Sequence, residues 1–129
     1  MHQPPIVLIV DDEAYFREIF SEKLNATNFH SDVAEGGSEA IAKAKSLQPD
    51  LILMDVKMPH MDGIQTVAKL KEDPATKNIK VVFLTNLGET QDGMQTIDEK
   101  FAVSMGAVGF IKKSDDLDLM MRQVESFLQ

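Results

Sequence analysis

Ile6-Val-Leu-Ile-Val10 runs directly into Asp11-Asp12-Glu13. A short run that is apolar at every position is read as a strand buried on both faces, the pattern of a parallel sheet. The period then changes. Phe16, Ile19, Phe20 and Leu24 recur at helical spacing, so residues of about 14–27 are expected to form an amphipathic helix. The same phrase returns along the chain. A weaker strand around 30–34 precedes a helix opened by Gly36-Gly37-Ser38, with Ala40, Ile41, Ala44 and Leu47 on one face and Pro49 ending it. Leu51-Ile-Leu-Met54 ends in Asp55 and leads through the loop Lys57-Met-Pro-His-Met-Asp-Gly63 into a helix marked by Ile64, Val67 and Ala68, which stops before Pro74. Val81-Val-Phe-Leu84 ends in Thr85 and precedes a helix carrying Met94, Ile97, Phe101, Ala102 and Met105, closed by Gly106. A short strand over Val108–Ile111 and the pair Lys112-Lys113 precede a helix with Leu117, Met120, Met121, Val124 and Phe127 on its apolar face.

Strict alternation of strand and helix predicts an α/β fold. Right-handed crossovers place the helices on both faces of a parallel sheet, and five units leave that sheet open where eight would close a barrel. In open α/β sheets functional groups gather at the carboxyl ends of the strands. The residues that directly follow the apolar runs are Asp11 and Asp12, then Asp55, Thr85 and Lys113. If the first, third, fourth and fifth strands are neighbours, three carboxylates, one hydroxyl and one ammonium share a pocket. Carboxylates so placed repel one another unless a hard cation sits among them, and an all-oxygen donor set in a small site suits Mg²⁺. The lysine and the hydroxyl suit the remaining oxygens of a phosphoryl group. An aspartate beside such a cation can act as a nucleophile towards phosphorus.

The 129 residues are the length of one domain, spanning 1–129, and carry 13 Lys+Arg against 21 Asp+Glu, a net charge of −8. That balance argues against direct nucleic-acid binding and against anionic membrane surfaces. The absence of cysteine excludes disulfides, zinc–thiolate sites and cysteine nucleophiles. The apolar runs are far shorter than the roughly 18 residues of a membrane span, and the N-terminus lacks the charged start and cleavage site of a signal peptide, so a cytoplasmic location is expected. His2, His30 and His60 read as scattered surface residues, the methionines as core filling, and no strand is followed by a glycine-rich phosphate loop.

Taken together, these residues resemble the receiver domain of two-component response regulators, including stand-alone chemotaxis-type receivers. The resemblance covers about the whole chain. It rests on Val10-Asp11-Asp12-Glu13 with Arg17 downstream, Gly37-Ser-Glu-Ala-Ile41, Pro49-Asp-Leu-Ile-Leu-Met-Asp55, Lys57-Met-Pro59 with Met61-Asp-Gly63, Val82-Phe-Leu-Thr85, and Gly106-Ala-Val-Gly-Phe-Ile-Lys-Lys113. It implies a flavodoxin-like, doubly wound sheet of order 2-1-3-4-5. It implies that Asp55 is the phosphoacceptor and that Mg²⁺ is held by Asp12 directly, by Asp11 through water, by Asp55 and by the main-chain carbonyl of Lys57. Thr85 and Lys113 would contact the phosphoryl group, and Thr85 and Phe110 would form the switch that repacks the helix 4–strand 5–helix 5 face. The implied partners are a sensor histidine kinase or phosphotransfer protein, a downstream protein of unknown identity, and a second copy in a weak phosphorylation-dependent dimer. The sequence up to Gln129 holds no output domain after its last helix, which fits a complete single-domain regulator, a phosphorelay carrier or an excised receiver, and the signal is expected to pass through contact with another protein.

The chain departs from the family pattern at several points. Ser114 stands where proline is commonest, which bears on whether the bond after Lys113 is cis. Asn86 replaces a small residue, and Lys57 and Leu87 flank the path of attacking water, so these three are expected to set access and phosphoryl lifetime. The stretch from Thr85 to Gly106 is longer than usual. Four functions compete with or refine the phosphoacceptor reading: a phosphorelay carrier, a degenerate receiver that only binds protein, an aspartyl-phosphate hydrolase and a flavodoxin-type electron carrier. The hydrolase wants an acid at position 57, where this chain has Lys57, and the flavodoxin wants a neutral phosphate loop where this chain has Asp11-Asp12-Glu13.

Overall fold

The structure, a computed structural model, describes residues 1–86 and 98–129. The elements run β1 (Ile6–Val10), α1 (Ala14–Ala26), β2 (His30–Ala34), α2 (Gly37–Leu47), β3 (Leu51–Asp55), α3 (Gly63–Glu72), β4 (Lys80–Thr85), α4 (Glu99–Ser104), β5 (Gly109–Lys112) and α5 (Leu117–Leu128). The strands form one parallel sheet of order β2-β1-β3-β4-β5. The order reverses between β1 and β3, which makes their carboxyl ends the topological switch point where α/β sheets carry their sites.

Side chains alternate across a strand, so each central strand feeds two cores. Val7, Ile9, Leu51, Leu53, Val82 and Leu84 point to one face and pack under Phe16, Phe20 and Leu24 of α1 and Met120, Met121 and Val124 of α5. Leu8, Val10, Ile52, Met54, Val81 and Phe83 point to the other, under Ala40 and Ala44 of α2, Val67 and Leu70 of α3 and Ala102 of α4. β3 is buried at all five positions, which is why its sequence is apolar without alternation up to Asp55.

The element boundaries differ from the sequence reading by about a residue. β3 and β4 extend through Asp55 and Thr85, because both residues pair in the sheet ladder. β5 starts at Gly109, and Val108 lies outside it, 41% exposed. α2 stops at Leu47, one residue earlier than Pro49 requires, because Gln48 takes the left-handed conformation (φ 49°) and its N–H donates to Ala44 O. Ala68 is exposed, and the inner face of α3 carries Gly63, Thr66, Val67 and Leu70 instead. Phe127 is half-buried while Leu128 is buried. Met94 and Ile97 lie outside the described residues, as does Leu87. Gly106 follows the C-cap of α4 at φ 101°, a conformation that favours glycine. Among the described residues the cis peptide bond is Gln3–Pro4, and the bond between Lys113 and Ser114 is trans.

Candidate functional site

The first residue beyond β1 is Asp11, fully buried. Its N–H donates to Ala34 O at 3.1 Å, which extends the β1–β2 ladder by one bond. Its Oδ1 accepts the N–H of Glu13 at 2.9 Å, a two-residue turn of the kind short acids favour. Its carbonyl accepts Arg17 Nη1 at 2.7 Å, and Arg17 Nη2 is held in turn by Glu35 Oε1 at 3.2 Å. The main chain that presents the two aspartates is thus fixed from both sides, while Asp12 itself points to solvent.

Asp55 ends β3 and Thr85 ends β4, and both are buried. In the register Asp55 pairs with Leu84 and Thr85 with Lys112. One residue further on, Lys113 N–H donates to Thr85 O at 2.8 Å, which brings the lysine to the same edge. The loop after β3 is pinned where Gly63 N–H donates to Val56 O at 2.8 Å.

Lys113 is the centre of the charge arrangement. Its Nζ lies 2.5 Å from Asp11 Oδ2, 3.0 Å from Glu13 Oε1 and 3.7 Å from Asp55 Oδ1, and sits 4.9 Å above the Phe16 ring. Burial opposes the ammonium, yet the hydrogen bonds to Asp11 and Glu13 and the charges of Asp55 and Asp11 outweigh it, so the Lys113 pKa sits above its ordinary value. Burial pushes the Asp11 carboxyl up despite its contact with Lys113. One carboxylate oxygen from each of Asp11, Asp12 and Asp55 lies within 4.8 Å of the others. That all-oxygen, acid-rich donor set fits a hard divalent cation of the Mg²⁺ type.

Five residues chosen from strand ends alone (Asp11, Asp12, Asp55, Thr85 and Lys113) therefore stand at one sheet edge. Lys57 and Asn86 are exposed just beyond β3 and β4. Phe110 is half-buried on β5, opposite Phe83 in the register, and packs on the α2–α3–α4 side of the sheet. Lys112 is exposed, and His2, His30 and His60 are exposed at scattered positions. Sequence reasoning did not assign site roles to Glu13 or Phe16, which both meet Lys113, nor to Gly63. For Glu13 the sequence shows only that it follows the aspartate pair, and nothing there signals its contact with Lys113, 100 residues away.

A family model described as the response regulator receiver domain matches residues 7–125. A DNA-binding dual master transcriptional regulator, RpaA, of Synechocystis is 33% identical over 125 residues, which are 97% of this chain and 49% of that protein. A protein-glutamate methylesterase/protein-glutamine glutaminase of Aliivibrio fischeri is 39% identical over 126 residues, 95% of this chain and 32% of that protein. This chain thus spans half or less of the length of these relatives. Among solved structures, the Vibrio cholerae chemotaxis protein CheY4 has the same fold (TM-score 0.80, 24% identity, 95% of this chain and 97% of that one). The response regulator domain of Thermotoga maritima CheB is also similar, with a TM-score of 0.75 at 26% identity over 96% of this chain and 92% of that one. Among the described residues no helix is long and apolar enough to cross a membrane.

Proposed function

This chain belongs to the response regulator receiver domain family, and from that premise we propose that it accepts a phosphoryl group on Asp55 from a histidine kinase or phosphotransfer protein. The observation that carries the reading is the meeting of Asp11, Asp12, Asp55, Thr85 and Lys113 at one edge, with the Lys113 ammonium 3.7 Å from Asp55 Oδ1. Receiver domains generally bind Mg²⁺ at an acidic pocket. Here Asp11, Asp12, Asp55 and the main-chain carbonyl of Lys57 would hold it, and it would supply positive charge to the carboxylates and to the incoming phosphoryl oxygens.

The chain's own groups then do the following. A carboxylate oxygen of Asp55 attacks phosphorus in line. The phosphorus–nitrogen bond of the donor phosphohistidine breaks, its electron pair stays on the imidazole, and an aspartyl phosphate results. Lys113 moves from its carboxylate neighbours onto the equatorial phosphoryl oxygens, where charge accumulates. Thr85, buried at the end of the adjacent strand, donates its hydroxyl to the same group. The new group brings about −1.5 to −2 charges to a buried edge. Thr85 moves towards it, and Phe110 repacks the face formed by α4, β5 and α5, on which a partner protein or a further copy reads the state. Lys57 and Asn86, exposed just beyond β3 and β4, set how long the phosphoryl group lasts; Leu87, to which the same role falls by sequence, lies outside the described residues.

The test is direct. Incubated with a small-molecule phosphodonor and Mg²⁺, the protein should gain a single acid-stable, base-labile phosphoryl group, lost in Asp55→Asn. Multiple turnover of phosphate esters would favour a hydrolase, and absence of any adduct would leave only a protein-binding receiver. A beryllofluoride titration followed by NMR should shift Thr85 and Phe110; resonances that stay put would overturn the switch.

A further inference from the structure

We propose that Glu13 is a positioning residue, which holds the Lys113 ammonium away from Asp55 in the resting protein and so sets the rate at which the phosphoryl group is accepted. The inference rests on Asp55 being the phosphoacceptor and adds a residue to which the sequence reading gave no role.

Glu13 occupies the N-cap of α1, in the extended conformation that a cap requires (φ −88°, ψ 110°), yet its side chain makes no cap hydrogen bond. N-caps are normally short polar side chains that turn back onto the helix. The main chain of Glu13 is fully engaged: its N–H donates to Asp11 Oδ1 at 2.9 Å and its carbonyl accepts Arg17 N–H at 3.1 Å. The carboxylate instead reaches across to Lys113, 100 residues away in sequence, with Oε1 3.0 Å from Nζ.

The three acids that share the edge with Lys113 are not equivalent to Glu13. Asp11, Asp12 and Asp55 bring oxygens within 4.8 Å of one another, and Glu13 is outside that group. A cation at the cluster would neutralise the pull of Asp11 and Asp55 on the ammonium and leave the pull of Glu13 intact. In the resting geometry Nζ is 2.5 Å from Asp11 Oδ2 and 3.0 Å from Glu13 Oε1 but 3.7 Å from Asp55 Oδ1, so Glu13 shares the ammonium with Asp11 and is the partner that a cation at the cluster would leave in place. Lys113 must therefore exchange Glu13, along with Asp11, for phosphoryl oxygens as the transfer proceeds. The exchange is a modest brake, because the Glu13 side chain is 59% exposed and half-exposed pairs are weak.

The experiment compares wild type with Glu13→Gln, which keeps the shape and removes the charge. Formation of the Asp55 adduct from acetyl phosphate with Mg²⁺ should be about two- to fivefold faster in the variant, the range expected for loss of one weak, solvent-screened ion pair. Hydrolysis of the finished adduct should be unchanged, because Lys113 has by then left Glu13. In a Lys113→Gln background the gain from Glu13→Gln should vanish. Equal or slower formation, equal acceleration of formation and hydrolysis, or the same gain without Lys113 would each overturn the inference. The last result would mean that Glu13 only repels the anionic donor. Should Lys113→Gln accept no phosphoryl group, the split between formation and hydrolysis decides alone. A wild-type protein that forms no Asp55 adduct overturns the phosphoacceptor reading and this inference with it, whereas an adduct formed equally fast in Glu13→Gln overturns this inference only.

Discussion

Gly63 opens α3 directly against the end of β3, and a β-carbon there would lie 2.1 Å from the carbonyl oxygen of Asp55. The obstacle is main chain, which cannot rotate aside as a side chain could. Gly63→Ala should therefore push α3 off the end of β3, lower stability by about 1–3 kcal/mol as overpacked sites do, and slow phosphoryl acceptance at Asp55. A denaturant midpoint equal to that of wild type would show that the loop relaxes freely. The contrast with other residues shows what a sequence makes legible. Asp11, Asp55 and Thr85 could be picked out because each sits where an apolar run meets a polar residue, and the fold rule then assigns that junction to one edge. Glu13 and Phe16 could not, because their contact with Lys113 spans most of the chain and depends on which way three side chains turn. Gly63 was visible only as a turn residue; the close approach that excludes a β-carbon exists only in three dimensions.

Each helix start in this fold is set by a few hydrogen bonds, and these are testable one by one. At α3, Asp62 Oδ1 accepts Gln65 N–H at 2.8 Å while Gln65 Oε1 accepts Asp62 N–H at 3.0 Å, a reciprocal capping box. Asp62→Ala should cost about 1 kcal/mol, read as a lower urea midpoint at unchanged slope. At α2, Glu39 Oε1 accepts the N–H of Glu35 at 2.8 Å. That bond, more than the neighbouring Lys43, holds the Glu39 carboxyl below its ordinary value of 4.5. A lowered carboxyl stabilises the fold fully above the unfolded value and loses that contribution as pH falls through the folded one. The stability gap between wild type and Glu39→Gln should accordingly be constant above about pH 4.5 and close as the solution is acidified below it; urea unfolding across pH 3–7 measures this. A gap that widens on acidification would exclude the contact as its source. Periodicity recovered these elements in the right order, with errors of about one residue at strand ends, because ladder pairing continues past the last apolar side chain at Asp55 and Thr85. Ala68, one of the residues that mark α3 in the sequence, is exposed, because a small apolar residue is tolerated on either face, whereas the packed stripe follows Val67 and Leu70.

For the whole molecule, the order β2-β1-β3-β4-β5 turns a sequence with acids dispersed along its length into one with a concentrated charge at a single edge. A net charge of −8 is unremarkable for solubility, but three carboxylates within 4.8 Å are not, and Lys113 alone does not balance them. Folding brings them together against their repulsion, and the unfolded chain has no comparable cluster. A divalent cation that binds this edge therefore favours the folded state by mass action, by about 2.7 kcal/mol at a hundredfold excess over its dissociation constant. For a chain of this size that corresponds to a rise of about 10 °C in Tm. Mg²⁺ should produce such a saturable rise, and NaCl at matched ionic strength should not, because screening acts on all exposed charges without occupying a site. Asp12 gives the sharpest control. It contributes an oxygen to the cluster yet is exposed, so Asp12→Asn removes a donor without opening the core. The variant should keep a cooperative transition without added Mg²⁺ and need a several-fold higher Mg²⁺ concentration for the same shift. An undiminished Mg²⁺ response in Asp12→Asn, or an equal response to Na⁺ at matched ionic strength, would place the effect away from this edge and remove the cation from the account of the site.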